Sequence, residues 1–378
     1  MAKWNRDPQV RAVTDKASLN QVLADRILVH HMDLQRLGNN EAAKVLRLLE
    51  AAHDDLMGQF ARRMEKIKAR GVDWGPATTR RMAEMEYSFD QIIKGWGKDA
   101  YNLLRDDLVE LARDETRFNR QILDDASPVK LETVLPARRM LRTIVTEQPF
   151  DGLPLRGWFT RQEAAVRSSL VRAVRIGMTQ GQTIDQMART IRGTRANGYR
   201  DGILEVNRRQ AQTIARTATN HVSTQSRRAF FAENADLVKG EIWLATLDTR
   251  TCFRCADLDR AEWKFGLPHE YPPAHPGCRC TITPVLKSWK ELGINLPESA
   301  KGARASMNGV VPEDTDYQTW LSRQSKAVQV RALGPGRAKL FREGKVQAGE
   351  FTSESGHPIT IRRLQAMEGR AVTGKRVR

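Results

Sequence analysis

Asp248–Pro284 reads DTRTCFRCADLDRAEWKFGLPHEYPPAHPGCRCTITP. All four cysteines of the 378-residue chain fall inside it, at Cys252, Cys255, Cys278 and Cys280, with His269 and His275 between the pairs. Cysteines that serve only as small apolar residues scatter along a chain. These are grouped as C-x2-C and C-x-C, so they act together. One arrangement is a structural zinc site: zinc takes four N or S ligands in a tetrahedron, and C-x2-C supplies two thiolates from one tight turn. The remaining ligands would come from His275, Cys278 and Cys280, although C-x-C departs from the common ribbon spacing. The pattern also admits one or two disulfides, or reduced thiols packed around Trp263 and Phe265. His269, in a Pro-His-Glu loop, is expected to be solvated.

The flanks of this stretch set the local fold. Val238–Leu247 (VKGEIWLATL) is rich in strand formers, and Cys280–Val285 is the returning strand. A proline-rich excursion lies between them. Helices on the N-terminal side then make an α+β unit, with a small sheet that the cysteines pin at its edge. Arg216, His221, Asp248 and Arg250 flank that sheet, as a hydrogen-bond network or a cleft; in so small a unit the structural role is the commoner.

Working upstream, Leu204–Asn234 has helical periodicity, preceded by a loop over Gly193–Gly202. Before it come a short helix capped by Thr183 and a longer helical pattern from Trp158 to Ile176. Between Arg156 and Arg228 stand fourteen arginines, no lysine, and only Glu163, Asp185, Asp201 and Glu205 as acids. Arginine binds phosphate bidentately and keeps its charge. Arg172, Arg175, Arg189, Arg192, Arg195, Arg208 and Arg209 are therefore candidates for sequence-independent contact with a DNA backbone. Solvated faces and internal ion pairs are the plain alternative. No base-reading module is present.

Two more distant segments complete the helical part. Apolar residues from Ala42 to Ile67 recur at three- and four-residue steps, after a shorter helix expected to end near Gly38. Gly71, Gly75 and Pro76 break the pattern, and a second stripe runs from Thr78 to Leu123, with Gly95 and Gly97 as points of interruption. The two read as a long helical hairpin. Each helix has one apolar face and needs a surface to lie against. The expected divisions are 1–130 for the hairpin, as an oligomerisation or portal-docking device, 131–155 for a linker, 156–290 for the core, and 291–378 for a C-terminal extension. Within that extension a loop is expected over 301–316, a helix from Tyr317 capped by Asp314 or Thr315, and a short strand at Ile359–Ile361. It ends in a basic tail that includes Lys375 and Arg376, also candidates for DNA contact.

Several motifs together resemble a known family. W-x4-D-x-R-T-C-x2-C from Trp243, followed by P-P-x-H-P-x-C-R-C from Pro272, is similar to the core of the phage Mu F-like minor head proteins, also called phage head morphogenesis proteins. G-M-x-x-G-Q-T-I-x-Q-M from Gly177 and A-x2-I-A-R-T-x2-N-H from Ala211 extend the resemblance to roughly residues 150–290. It implies a virion protein without a known active site. It further implies association with the portal and with capsid or scaffold proteins, several copies per particle, and a location in the head or at the portal vertex.

Composition agrees with such a role. The net charge of +17 and the pI near 10.1 favour a polyanionic partner such as double-stranded DNA. No apolar run approaches the ~20 residues that span a bilayer, and MAKWNRDPQV has no signal-peptide core. Synthesis in the host cytoplasm is expected, where reduced or metal-bound thiols are the default. No catalytic set is assigned. The enzymatic alternative is a metal-dependent nuclease with His275 as base, and a second histidine at a convincing spacing is missing.

Overall fold

A computed structural model describes residues 19–69, 76–293, 303–353 and 358–367. It is mostly helical with a small sheet, the α+β class expected. Two helices of about seventy-five ångströms each dominate it: α1 (Leu19–Lys68) and α2 (Pro76–Ala126). The expected break at Gly38 is absent, and α1 runs straight through it. A Cβ at Gly38 would lie 3.5 Å from the Arg216 backbone and from Thr219. The glycine lies where another helix crosses, and a Cβ there would meet only ordinary van der Waals contact, so packing against that helix and not a steric need for glycine carries α1 through a residue of low helix propensity. Gly97 leaves α2 equally unbroken: any side chain there would collide with the Glu163 carboxylate. Gly71 and Gly75 lie outside the described residues.

The connector after α2 contains a helix, α3 (Arg138–Thr146), which buries Leu141, Ile144 and Val145. Then follow α4 (Leu155–Thr179), α5 (Ile184–Arg192) and α6 (Ile203–Glu233), with a single 3₁₀ turn at Arg195–Asn197. A capping box between Thr183 and Gln186 starts α5, as the threonine suggested. The stripes of the hairpin find their surface within this chain. Val45, Leu49, Leu104 and Leu108 share one core with Ala211, Ala215 and Ala218 of α6, while Phe60, Met85 and Phe89 share another with Leu170 and Val174 of α4.

Helix α6 is the axis of the molecule. From Ala211 to Arg227 only Gln212, Thr213 and Arg216 escape full burial, although most of the buried residues after Ala218 are polar. Burial on all sides follows from its position between α1, α2, α4 and the sheet. The sheet is antiparallel with strand order β2–β1–β3: β1 (Val238–Leu244) is central, β3 (Thr281–Leu286) returns beside it, and β2 (Glu262–Lys264) forms an edge strand inside the excursion, where the sequence suggests only loop. Trp243 pairs with Ile282, and both are buried.

The C-terminal part differs most from expectation. Residues 303–312 form a hairpin, β4 (Ala303–Ser306) and β5 (Gly309–Pro312), where a loop was expected. The turn falls at Met307 and Asn308, between the paired Ser306 and Gly309. After α7 (Phe253–Leu258) in the cysteine stretch, three further helices follow: α8 (Tyr317–Ser322), α9 (Lys326–Leu333) and α10 (Pro335–Arg342). Asp316 caps α8, accepting from the Thr319 amide, so neither Asp314 nor Thr315 has that role. Ile361 opens a final helix, α11 (Ile361–Met367), and is not in a strand. Tyr317, Trp320, Leu333, Leu340 and Phe351 form this part's core together with Leu247 and Ala256 of the cysteine stretch.

Candidate metal centre

The C-x2-C arm is the start of α7. Cys252 is its N-cap, and its sulfur accepts from the Cys255 amide at 3.4 Å. Cys252 is half-buried, whereas Cys255, Cys278 and Cys280 are buried. The C-x-C arm runs directly into β3. Because β1 and β3 pair, the roots of the two arms are adjacent, and the arms close on each other beyond the sheet.

All five residues expected from the sequence meet there. His275 Nε2 lies 3.2 Å from Cys252 Sγ and 3.4 Å from Cys255 Sγ. Cys255 Sγ lies 3.8 Å from Cys278 Sγ. Two triads result, Cys252–Cys255–His275 and Cys255–Cys278–Cys280, each with ligand atoms within 4.8 Å of one another. Cys255 belongs to both. Tetrahedral zinc with Zn–S near 2.3 Å and Zn–N near 2.05 Å holds its ligand atoms about 3.5 to 3.8 Å apart. The observed separations fit that within a few tenths of an ångström. They do not fit disulfides, whose sulfurs are about 2.05 Å apart, and the four thiols are free.

The electrostatics also suit a cation. Cys252 is drawn down to about 4, first by the Cys255 thiol that donates to it and then by His275. Cys278 is held well below the usual thiol range by hydrogen bonds from Cys255 and Cys280. Cys255, as donor to its neighbours, and Cys280, through burial, are pushed up. His275 is raised to about 11, chiefly by Cys252. The cluster thus holds thiolates together by shared protons, and a divalent cation bound by the same atoms takes the place of those protons.

Outer contacts fix the arms. Arg279, between Cys278 and Cys280, forms a bidentate pair with Asp248 at 2.6 and 2.8 Å. Its carbonyl accepts from Thr246 Oγ1 at 2.8 Å and faces His31 Nε2 of α1 at 2.9 Å. Asn220 of α6 donates to the carbonyls of Cys278 and Cys280 at 2.9 and 3.2 Å. Thr217 accepts from the Gly277 amide at 2.9 Å. Such outer partners orient ligands. Sequence reasoning does not find His31, Thr217 and Asn220 in this role, although Thr217 and Asn220 are both fixed positions of the motif that starts at Ala211. His221, the neighbour of Asn220, points elsewhere and packs on Phe150 with ring centroids 5.2 Å apart.

His269 is a correction. Its side chain is buried, not solvated: it stacks on Trp263 at 4.9 Å, and its Nε2 lies 3.0 Å from Glu241 Oε2. The edge strand β2 creates that shelter by placing Trp263 beside it. His269 belongs to neither triad.

The arginines divide into two groups. Arg156, Arg167, Arg175, Arg208, Arg227 and Arg228 form ion pairs with Glu163, Asp90, Glu86, Glu50, Glu115 and Glu241 respectively. Four of those acids come from the hairpin, which a count over 156–228 leaves out. Arg209 donates to the Arg200 carbonyl at 3.2 Å. Arg172, Arg189, Arg192 and Arg195 are exposed and make no ion pair among the described residues. Lys375 and Arg376 lie outside the described residues.

Residues 168–283 match the family model described as Phage Mu protein F like protein, which bears out the resemblance over that span. No curated protein and no solved structure matches the chain. No helix among the described residues is long and apolar enough to cross a membrane.

Proposed function

We propose that this chain, with its phage Mu F-like segment at 168–283, is a structural minor head protein that acts in phage head morphogenesis. The observation that carries this reading is the extent of the match: it spans α6, the sheet and both cysteine arms, the parts around which the rest is packed. The protein would be made in the host cytoplasm and reside in the head or at the portal vertex in several copies. Its partners would be the portal, capsid or scaffold proteins and, through exposed arginines, the backbone of double-stranded DNA without sequence preference. Mass spectrometry of purified particles, with copies counted against portal, tests this. Absence from both immature and mature heads would overturn it.

The metal in this reading is structural zinc, held by four of Cys252, Cys255, His275, Cys278 and Cys280. Bound there, it supplies cross-linking energy between the arms and no catalysis. The nuclease alternative has no support in the geometry. The two ring nitrogens of His275 are both engaged, Nε2 by the thiols and Nδ1 at 3.0 Å from the Pro276 carbonyl. Neither is left to take a proton from water.

A further inference from the structure

The two cysteine arms are gripped by different parts of the chain. The C-x-C arm is held by the helical body, through His31, Thr217 and Asn220. The C-x2-C arm is the floor of the C-terminal part. The Tyr317 hydroxyl donates to the Asp248 carbonyl at 3.0 Å, and the Met307 amide to the Leu247 carbonyl at 3.1 Å. Arg304 of β4 holds both carboxylate oxygens of Asp259, at 2.7 and 2.9 Å, and the Ala245 carbonyl at 2.6 Å. Phe253 of α7 packs on Phe351, with centroids 5.4 Å apart.

What fixes the C-x2-C arm is therefore what fixes the C-terminal part. The sheet ties the roots of the arms, and further out the Arg279–Asp248 pair and the Arg254 contact with the Ala274 carbonyl join their flanks but not the ligand-bearing atoms themselves. Helix α7 has six residues, too few to persist unaided. Its N-terminal end is set by Cys252 and Cys255, the residues that face the other arm. The C-terminal hairpin also meets the body at α1, where Asp25 is raised to about 6, first by burial and further by Glu313.

We propose that metal bound between the arms is the fastener that docks residues 303–351 onto the helical body. With metal, the C-terminal part is held; without it, that part comes away as a unit while α1, α2 and α6 stay packed on each other. This inference rests on the metal reading of the cysteine cluster.

Hydrogen exchange followed by mass spectrometry on the full chain tests it, comparing zinc-loaded and chelator-treated protein with zinc measured on the same samples. Amides of 303–346 should exchange roughly tenfold faster or more after stripping, and those of 211–227 should be unchanged. If zinc leaves and 303–346 stays as protected, the fastener is refuted while the metal site stands. If 211–227 loosens equally, the metal holds the whole fold and the inference also fails. If purified protein neither contains nor takes up zinc, the metal reading falls and this inference with it.

Discussion

Glu115 of α2 and Arg227 of α6 form an ion pair at 2.6 Å with both side chains almost wholly excluded from solvent. The other guanidinium nitrogen of Arg227 donates to Thr281 Oγ1 and the Ile282 carbonyl at the start of β3, so this pair joins the hairpin, the axial helix and the sheet. Burial pushes Glu115 up, but Arg227 and His30 more than compensate, and it sits at about 2.

Removing one partner leaves a buried charge without compensation. Glu115→Ala should cost about 3–5 kcal/mol in a urea titration. The double replacement Glu115→Leu with Arg227→Met should cost less than the single change. The pKa of Glu115 is lowered on folding, so its contribution is present above the unfolded value near 4.5 and is lost as pH falls through about 2.

Histidines act in the milder acid range. His31 and His221 are buried, and burial lowers each from 6.5 to about 4. Each is folded neutral, so stability is full above pH 6.5 and falls as pH drops toward 4, by roughly 3 kcal/mol per residue at that limit. His31→Gln keeps a donor toward the Arg279 carbonyl and cannot titrate. Its unfolding midpoint should therefore depend less steeply on pH between 6.5 and 4 than that of the unmodified chain.

Asp25 has the opposite sign. Raised to about 6 by burial first and by Glu313, it favours folding when protonated, and that contribution is lost as pH rises through 6. Asp25→Asn should raise the thermal midpoint by about 2–4 °C at about pH 7.5 and change nothing below about pH 4. Equal midpoints at the higher pH would contradict this.

Cys255 is common to both triads, so Cys255→Ser should abolish stoichiometric zinc in elemental analysis. His275→Ala and Cys280→Ala each spare one triad and should retain zinc with weaker hold against a chelator. Equal loss in all three variants would show that no ligand is privileged.

For DNA, replacing Arg172, Arg189, Arg192 and Arg195 with glutamine should weaken binding to duplex DNA without regard to sequence. The slope of log affinity against log salt should fall by about 0.9 for each phosphate that is no longer neutralised. Arg208→Gln should matter less to binding, because Glu50 already engages that side chain.

Much of this fold is written in local order along the chain. The stripes of α1 and α2, the Thr183 cap, the two strands around the cysteines and the five-residue cluster all depend on spacing within a few turns or one excursion. Where local reading fails, the deciding neighbour is distant. Gly38 resembles a helix stop until Thr219 is laid beside it. His269 looks solvated until β2 brings Trp263 over it. The arginines seem unopposed until the acids of the hairpin are placed against them.

The sequence by itself therefore determined the helical periodicities, the meeting of four thiols and an imidazole, and the excess of positive charge, because each is a property of neighbours in the chain. Only the tertiary structure decided which arginines remain free, which part of the molecule holds each cysteine arm, and which buried groups change charge. Those follow from packing between residues as far apart as His31 and Arg279, and no local pattern specifies the partner of a buried polar group.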